Sequence, residues 1–234
     1  MGTLTVRYDA VFLDVDGTLL YVDLDVGGYV EDLASFATNG SLSVEAARRP
    51  VWEGVHEHIR ENINYPSAEE LARFRRENAR RTARALALDA PDEVLVAVSR
   101  RRISFNPCPE SEGVLEELAR VGVPLYAVPN WDVELEAVLD DLGWRPFFDD
   151  LVVSAKVGVE KPDGEIFEGA LEVAGVGRDR AVMVGNDPVS DARGAARAGI
   201  DAVLVDRRGN VEAPEVAVAV LPDLRGLPAL VAGG

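Results

Sequence analysis

Ala10-Val-Phe-Leu-Asp14-Val-Asp16-Gly-Thr18 runs from four apolar residues into two carboxylates and a Gly-Thr pair. The apolar run reads as a strand over Ala10–Val15. Its acidic end falls where an open α/β sheet binds ligands, beside the carboxyl ends of the strands. Alternation along a strand sends Asp14 and Asp16 to the same side, where they repel unless a cation sits between them. Followed by Gly-Thr, the two carboxylates suggest a hard-metal, phosphate-handling site. The plainer alternative for the string taken alone is a strand that ends in an acidic turn.

Outward from this stretch, the carboxyl-terminal half alternates short apolar runs with helical patterns, as a parallel sheet flanked by helices does. Strands are expected at Val123–Val128, Leu151–Val153, Ala181–Val184 and Ala202–Val205. Helices are expected near Glu112–Val121, Val133–Leu142, Gly164–Ala174 and Val189–Ala198, with Gly122, Gly143, Gly175 and Gly199 as their terminators. Residues 21–108 break the alternation and read as helices. Ser67-Ala-Glu-Glu70 resembles a capping box opening a helix to about Leu88, and Pro91-Asp-Glu opens another. An insert this long is too much for a loop. The fold class is therefore α/β, a doubly wound, mostly parallel sheet formed by residues 1–20 and 109–234, with an inserted all-helical domain at 21–108. Asn106-Pro-Cys-Pro109 is the return hinge.

The 234 residues, 47% hydrophobic and 28% charged, exclude a disordered, collagen-like or coiled-coil protein. A net charge of −17 opposes nonspecific binding to nucleic acid or an anionic membrane, which relies on cationic neutralisation of phosphates. The single cysteine, Cys108, forms no internal disulfide and favours a reducing compartment. Neither a membrane span nor a signal peptide is visible, so a cytoplasmic location is expected.

Later strand ends carry a matching series: Asn130, then Lys161-Pro-Asp, then Gly185-Asn-Asp-Pro-Val-Ser-Asp191. With Asp14-Val-Asp-Gly-Thr18, these four motifs in order resemble the haloacid dehalogenase superfamily, chiefly phosphatases with a Rossmann-like core. The insert resembles the α-helical cap that one subgroup carries between its first two motifs. The resemblance implies Asp14 as nucleophile, forming an aspartyl-phosphate, and Asp16 as the acid and then the base. It implies Thr18, Asn130 and Lys161 around the phosphoryl group. It also implies Mg2+ on the Asp14 carboxylate, the Asp16 carbonyl and a fourth-motif side chain. Lys161 gains weight because lysine is otherwise almost avoided: Lys156 is the only other, against 22 arginines. Asp16 favours phosphate esters over carbon–halogen bonds, because a halide leaving group needs no proton.

Two residues depart from the family pattern. Pro129 stands where a Ser or Thr hydroxyl is usual, and Asn186 where aspartate is common. Asp187 supplies the missing carboxylate if the loop shifts by one residue; otherwise it caps the following helix, with Pro188 in first position. Asp191, one turn in, would orient Lys161 or a metal-bound water.

In the insert, Arg73, Arg76, Arg80 and Arg84 form a helical stripe beside Ala72, Ala79, Ala83 and Leu86. The stripe is either a solvated face with pairs such as Arg73–Glu77, or a contact for an anionic substrate or a second subunit. Arg100-Arg-Arg102 carries the same ambiguity. His56 and His58 point to different faces and are surface residues. The expected function is magnesium-dependent hydrolysis of a small phosphorylated metabolite by a monomer or homodimer. The alternatives are a weak or inactive ligand-binding relative, a sugar-phosphate mutase and a haloacid dehalogenase.

Overall fold

A computed structural model describes residues 7–209, 211 and 216–233, so the first six residues of the amino-terminal reading lie outside it. The chain divides into two compact units, Met1–Tyr21 with Pro107–Gly234, and Val22–Asn106.

In chain order, the first unit supplies β1 (Ala10–Leu13). The ribbon strand β2 (Leu20–Leu24), helices α1 (Val26–Leu33), α2 (Val44–Glu61), α3 (Ala68–Ala85) and α4 (Asp92–Arg101), and strand β3 (Ile103–Pro107) follow. The insert is thus not all-helical: β2 and β3 pair as a two-stranded sheet across both of its borders. Each is five residues long and interrupted by polar side chains. Partners about 80 residues apart leave no local hairpin signal for sequence reading to find. In the helical unit, Tyr29, Leu33, Val51, Ala83, Leu95 and Val98 are among the residues of one apolar core. Ser67 caps α3 as expected, accepting from the Glu70 amide (3.3 Å) and donating to the Glu70 carboxylate (2.7 Å). Ala72, expected on the apolar face of α3, is exposed; Leu71, Phe74, Ala79 and Ala83 are buried.

After the insert come α5 (Ser111–Val121), β4 (Leu125–Ala127), α6 (Leu135–Asp141), β5 (Asp150–Leu151), α7 (Ser154–Val157), α8 (Gly164–Ala174), β6 (Ala181–Gly185), α9 (Gly194–Arg197), β7 (Asp201–Val205), β8 (Ala217–Leu221) and α10 (Leu227–Val231). Gly122, Gly143, Gly175 and Gly199 all adopt the left-handed conformation, as expected of helix terminators. The sheet order is β5-β4-β1-β6-β7-β8, with every neighbouring pair parallel. β8 is absent from the sequence reading because it is the outermost strand. Val218 and Val220 face solvent while its alanines are half-buried, which inverts the usual apolar-inward pattern.

The chain leaves β1 for β4 on one side and returns to β6 on the other, making β1 the switch point of the sheet. Leu13 pairs with Ala127 and with Val184, so three strands end level. All residues of β1, β4 and β6 are buried. On one face Phe12, Tyr126 and Met183 belong to a core with Ile166, Phe167 and Ala170 of α8 and Ala195 of α9.

Candidate active site

Asp14 lies one residue past β1, and its amide still donates to the Val184 carbonyl (2.9 Å). Its carboxylate is buried and its two oxygens are divided. Oδ1 accepts from Lys161 Nζ at 2.8 Å, and Oδ2 accepts from the Thr18 hydroxyl at 2.9 Å. Lys161 also donates to Asp191 Oδ1 at 2.6 Å. All three side chains are withdrawn from solvent, Lys161 to 2% exposure.

One ammonium therefore balances two buried carboxylates. Burial alone would lower the Lys161 pKa, but Asp14 and Asp191 outweigh it and hold the amine above its ordinary value. Burial, moderated by Lys161 and reinforced by Asp14, pushes the Asp191 carboxyl up to about 6. With two carboxylates to one ammonium, the triad favours any added positive charge.

The fourth motif faces this surplus. The Asn186 terminal amide places Oδ1 3.0 Å from the Asp16 carbonyl, 3.2 Å from Asp14 Oδ2 and 3.0 Å from the Thr18 hydroxyl. Turned to present nitrogen, the amide donates to these oxygens. Turned to present oxygen, it completes a set of acceptors at the spacing of neighbouring ligands around octahedral magnesium, about 3 Å apart. Among the described residues no three His, Cys, Asp or Glu side chains gather as a metal site. The donors here are one carboxylate, one main-chain carbonyl and one amide, so the set fits a hard cation that keeps several waters. Gly17 permits the approach. Its φ is +78°, and a Cβ there would lie 2.4 Å from the Asn186 amide nitrogen.

Asp187 is turned elsewhere. Its Oδ1 accepts from the amides of Val189 (2.7 Å) and Ser190 (2.6 Å), and the residue is exposed. The helix expected over Val189–Ala198 opens as a wide π turn, Pro188–Arg193, before α9. Asp187 O receives the amides of both Asp191 (3.0 Å) and Ala192 (3.3 Å). Asp191 Oδ2 turns back to the Asp187 amide (2.9 Å). A Cβ on Gly185 would meet that oxygen at 2.1 Å, so the glycine makes room for the carboxylate that holds Lys161.

Asn130 is placed differently from the phosphate-contacting role implied above. Its Oδ1 accepts from the Lys161 amide and its Nδ2 donates to the Lys161 carbonyl, both at 2.8 Å. It fixes the main chain that presents the ammonium. Pro129 is buried, its carbonyl accepting from the Ser154 amide at 3.2 Å. Asp16, unlike Asp14, is exposed. Ser154 is a further contributor without a sequence signal. Its hydroxyl accepts from the Trp131 amide (2.9 Å) and donates to the Trp131 carbonyl (3.1 Å), steadying the loop after β4.

A family model of haloacid dehalogenase-like hydrolases matches residues 8–199. The chain belongs to the haloacid dehalogenase-like hydrolases. This hydrolase is 34% identical to the phosphoserine phosphatase of Thermus thermophilus, over 92% of this chain and 94% of that one. It is 30% identical to the glyceraldehyde 3-phosphate phosphatase of Methanothermobacter thermautotrophicus, over 93% and 97%. Among solved structures, a 2-haloacid dehalogenase from Pseudomonas syringae superposes with a TM-score of 0.66 at 22% identity, covering 97% of this chain and 99% of that one. At that identity the likeness speaks for the fold alone. Among the described residues of the hydrolase, no helix is long and apolar enough to cross a membrane.

Proposed function

We propose that this hydrolase cleaves small phosphomonoesters through an aspartyl-phosphate on Asp14. The observation that carries the reading is the division of the Asp14 carboxylate between a buried ammonium on one oxygen and the Thr18–Asn186 pair on the other. A carboxylate held at both ends has little freedom to lose on attack, and the adjacent positive charge offsets the repulsion of an incoming phosphate dianion. Asp14 attacks phosphorus, and the bond from phosphorus to the ester oxygen breaks as Asp16 gives that oxygen a proton. Asp16 then takes a proton from water as the water oxygen attacks phosphorus. The bond to Asp14 breaks, releasing inorganic phosphate. Lys161 keeps its charge throughout, and Asp191 and Asn130 hold it in place. Asp14, the Asp16 carbonyl and Asn186 would hold Mg2+, which when bound supplies the positive charge that screens carboxylate from phosphate.

The names of the sequence relatives, phosphatases of phosphoserine and of glyceraldehyde 3-phosphate, support a small phosphorylated metabolite as substrate. Asp16 supports ester cleavage over dehalogenation. In chain position the helical unit corresponds to the cap of the family. The test is hydrolysis of a panel of phosphomonoesters with and without magnesium. Magnesium-dependent release of phosphate is expected, together with a covalent phosphate adduct on Asp14 after rapid quenching. Activity without an adduct would remove the covalent step, and silence across the panel would remove the phosphatase reading.

A further inference from the structure

The turn that follows the nucleophile, residues 15–20, is held from inside by its own amides: those of Thr18, Leu19 and Leu20 all donate to the Val15 carbonyl, at 3.2, 2.8 and 3.1 Å. Its outward carbonyls are held from elsewhere. Leu19 O receives the Cys108 amide (2.9 Å) and the Ser111 hydroxyl (2.7 Å). Gly17 O and Thr18 O are both taken by Arg207, just past the end of β7. Nη1 donates to Gly17 O at 2.9 Å and Nη2 to Thr18 O at 2.7 Å. The guanidinium is aimed by Glu110, whose Oε1 receives Nε (3.1 Å) and Nη2 (2.6 Å). It also lies over the Tyr21 ring, 5.9 Å from the centroid. Glu110 is 5% exposed and Arg207 17%, so neither side chain is an ordinary surface charge.

We infer that Arg207 is a positioning residue. By gripping two consecutive carbonyls of the turn, it fixes where that turn presents the Asp16 carboxylate, the Asp16 carbonyl and the Thr18 hydroxyl around Asp14. The planar fork of a guanidinium spans two adjacent acceptors while a third donor is anchored by a carboxylate; an ammonium has no such geometry. The chemical part of this inference rests on the phosphatase reading, because it assigns the turn the work of protonating a leaving group. It predicts a specific defect. If the turn loosens, Asp16 is the group most displaced, since its side chain is exposed while Thr18 is buried. The loss should therefore grow with the proton demand of the leaving group.

The experiment compares wild type with Arg207→Lys, Arg207→Met and Glu110→Gln on an alkyl phosphate and on p-nitrophenyl phosphate, alongside hydrogen exchange of the peptide covering residues 14–21. Arg207→Met should lower kcat on the alkyl ester roughly 10- to 100-fold, and on p-nitrophenyl phosphate several-fold less. Arg207→Lys should recover only part of this, and Glu110→Gln should show a weaker form of the same bias. Exchange in residues 14–21 should rise at least tenfold in Arg207→Lys while β6 and β7 keep their protection. A purely structural arginine would reduce both substrates by the same factor, through a smaller folded fraction. An unchanged substrate ratio in folded Arg207→Lys and Glu110→Gln overturns the inference whatever the exchange shows. Should wild type hydrolyse no phosphomonoester, the phosphatase reading falls on its own, and exchange alone judges the clamp: unchanged protection of residues 14–21 then overturns it.

Discussion

Lys161 and Arg84 are both cations paired with acids, in circumstances that could hardly differ more. Lys161 is 2% exposed, sits between two buried carboxylates and has its main chain fixed by Asn130. Arg84 is 68% exposed and shares Glu77 with Arg80 on the open face of α3. Elsewhere in the helical unit Arg80 pairs with Asp92 and Arg81 with Glu57 near the surface, while Arg101 and Arg102 share a half-buried Asp32. Exposed pairs of this kind contribute little, because water competes for both partners. A buried cation shared by two anions is costly to assemble and more costly to leave half-built, so its presence is better explained by chemistry than by stability. Of the arginine stripe, Arg80 and Arg84 are paired on a solvated face, and Glu77, expected to meet Arg73, meets these two instead.

The comparison is tested most severely by Asp14→Asn. This substitution should abolish phosphate release, by on the order of 10³-fold or more, with an unchanged circular dichroism spectrum. Wild-type rates in this variant would sink the covalent mechanism. Lys161→Met should leave Asp14 and Asp191 without their shared cation and lower stability by about 3–5 kcal/mol in denaturant titrations. Arg84→Ala should be indistinguishable from wild type in the same titrations. Comparable losses in the two would erase the distinction between the units.

Pro129→Ser tests whether the phosphoryl pocket lacks a donor. Asn130 is engaged with the Lys161 main chain, so a new hydroxyl should raise kcat about tenfold or more, the value of a recovered charge-assisted hydrogen bond of about 1.5 kcal/mol or above. A flat or lower rate would mean the pocket is built around proline. Asn186→Ala should shift the magnesium midpoint about 10-fold or more upward. Asp187→Ala should leave that midpoint alone and cost about 1 kcal/mol of stability through the lost helix cap. The reverse order would return the metal to Asp187.

A small, pH-dependent effect concerns Asp32, whose carboxyl Arg102 and Arg101 hold down at about 2. A carboxyl lowered by folding stabilises above its ordinary pKa, and the contribution fades as pH falls from about 4 towards 2. Asp32→Asn should therefore melt slightly earlier than wild type at neutral pH, with the difference vanishing near pH 2. A difference independent of pH would remove Asp32 from the titrating groups.

The parallel core was legible because its signals are local. All five expected strands lie within a few residues of the observed ones, and Asp14 and Asp16 stand just beyond the end of β1, while Lys161 and Asp191 follow β5 and β6 at a distance of ten and six residues. The choice between Asn186 and Asp187 was not legible, since both satisfy the spacing; it depends on a π turn that only packing specifies. Nor was the role of Asn130, which is spent on a main chain 31 residues away. Main-chain partners leave no mark on residue type, and the same blindness hid the carbonyls gripped by Arg207.

The pairing of β1 with β4 joins Val11 to Leu125 across the whole inserted unit. Loop-closure entropy grows only with the logarithm of length. Lengthening that connection about fourfold, from about 30 residues to about 115, raises the closure penalty by only about 1.2 kcal/mol. The β2–β3 ribbon ties the entry and exit strands together, so the folded insert presents the sheet with a short tether in place of a long coil. This junction is a low-cost splice point: a domain of a different size, spliced into the same ribbon, would scarcely alter the thermodynamics of closing the sheet around Asp14.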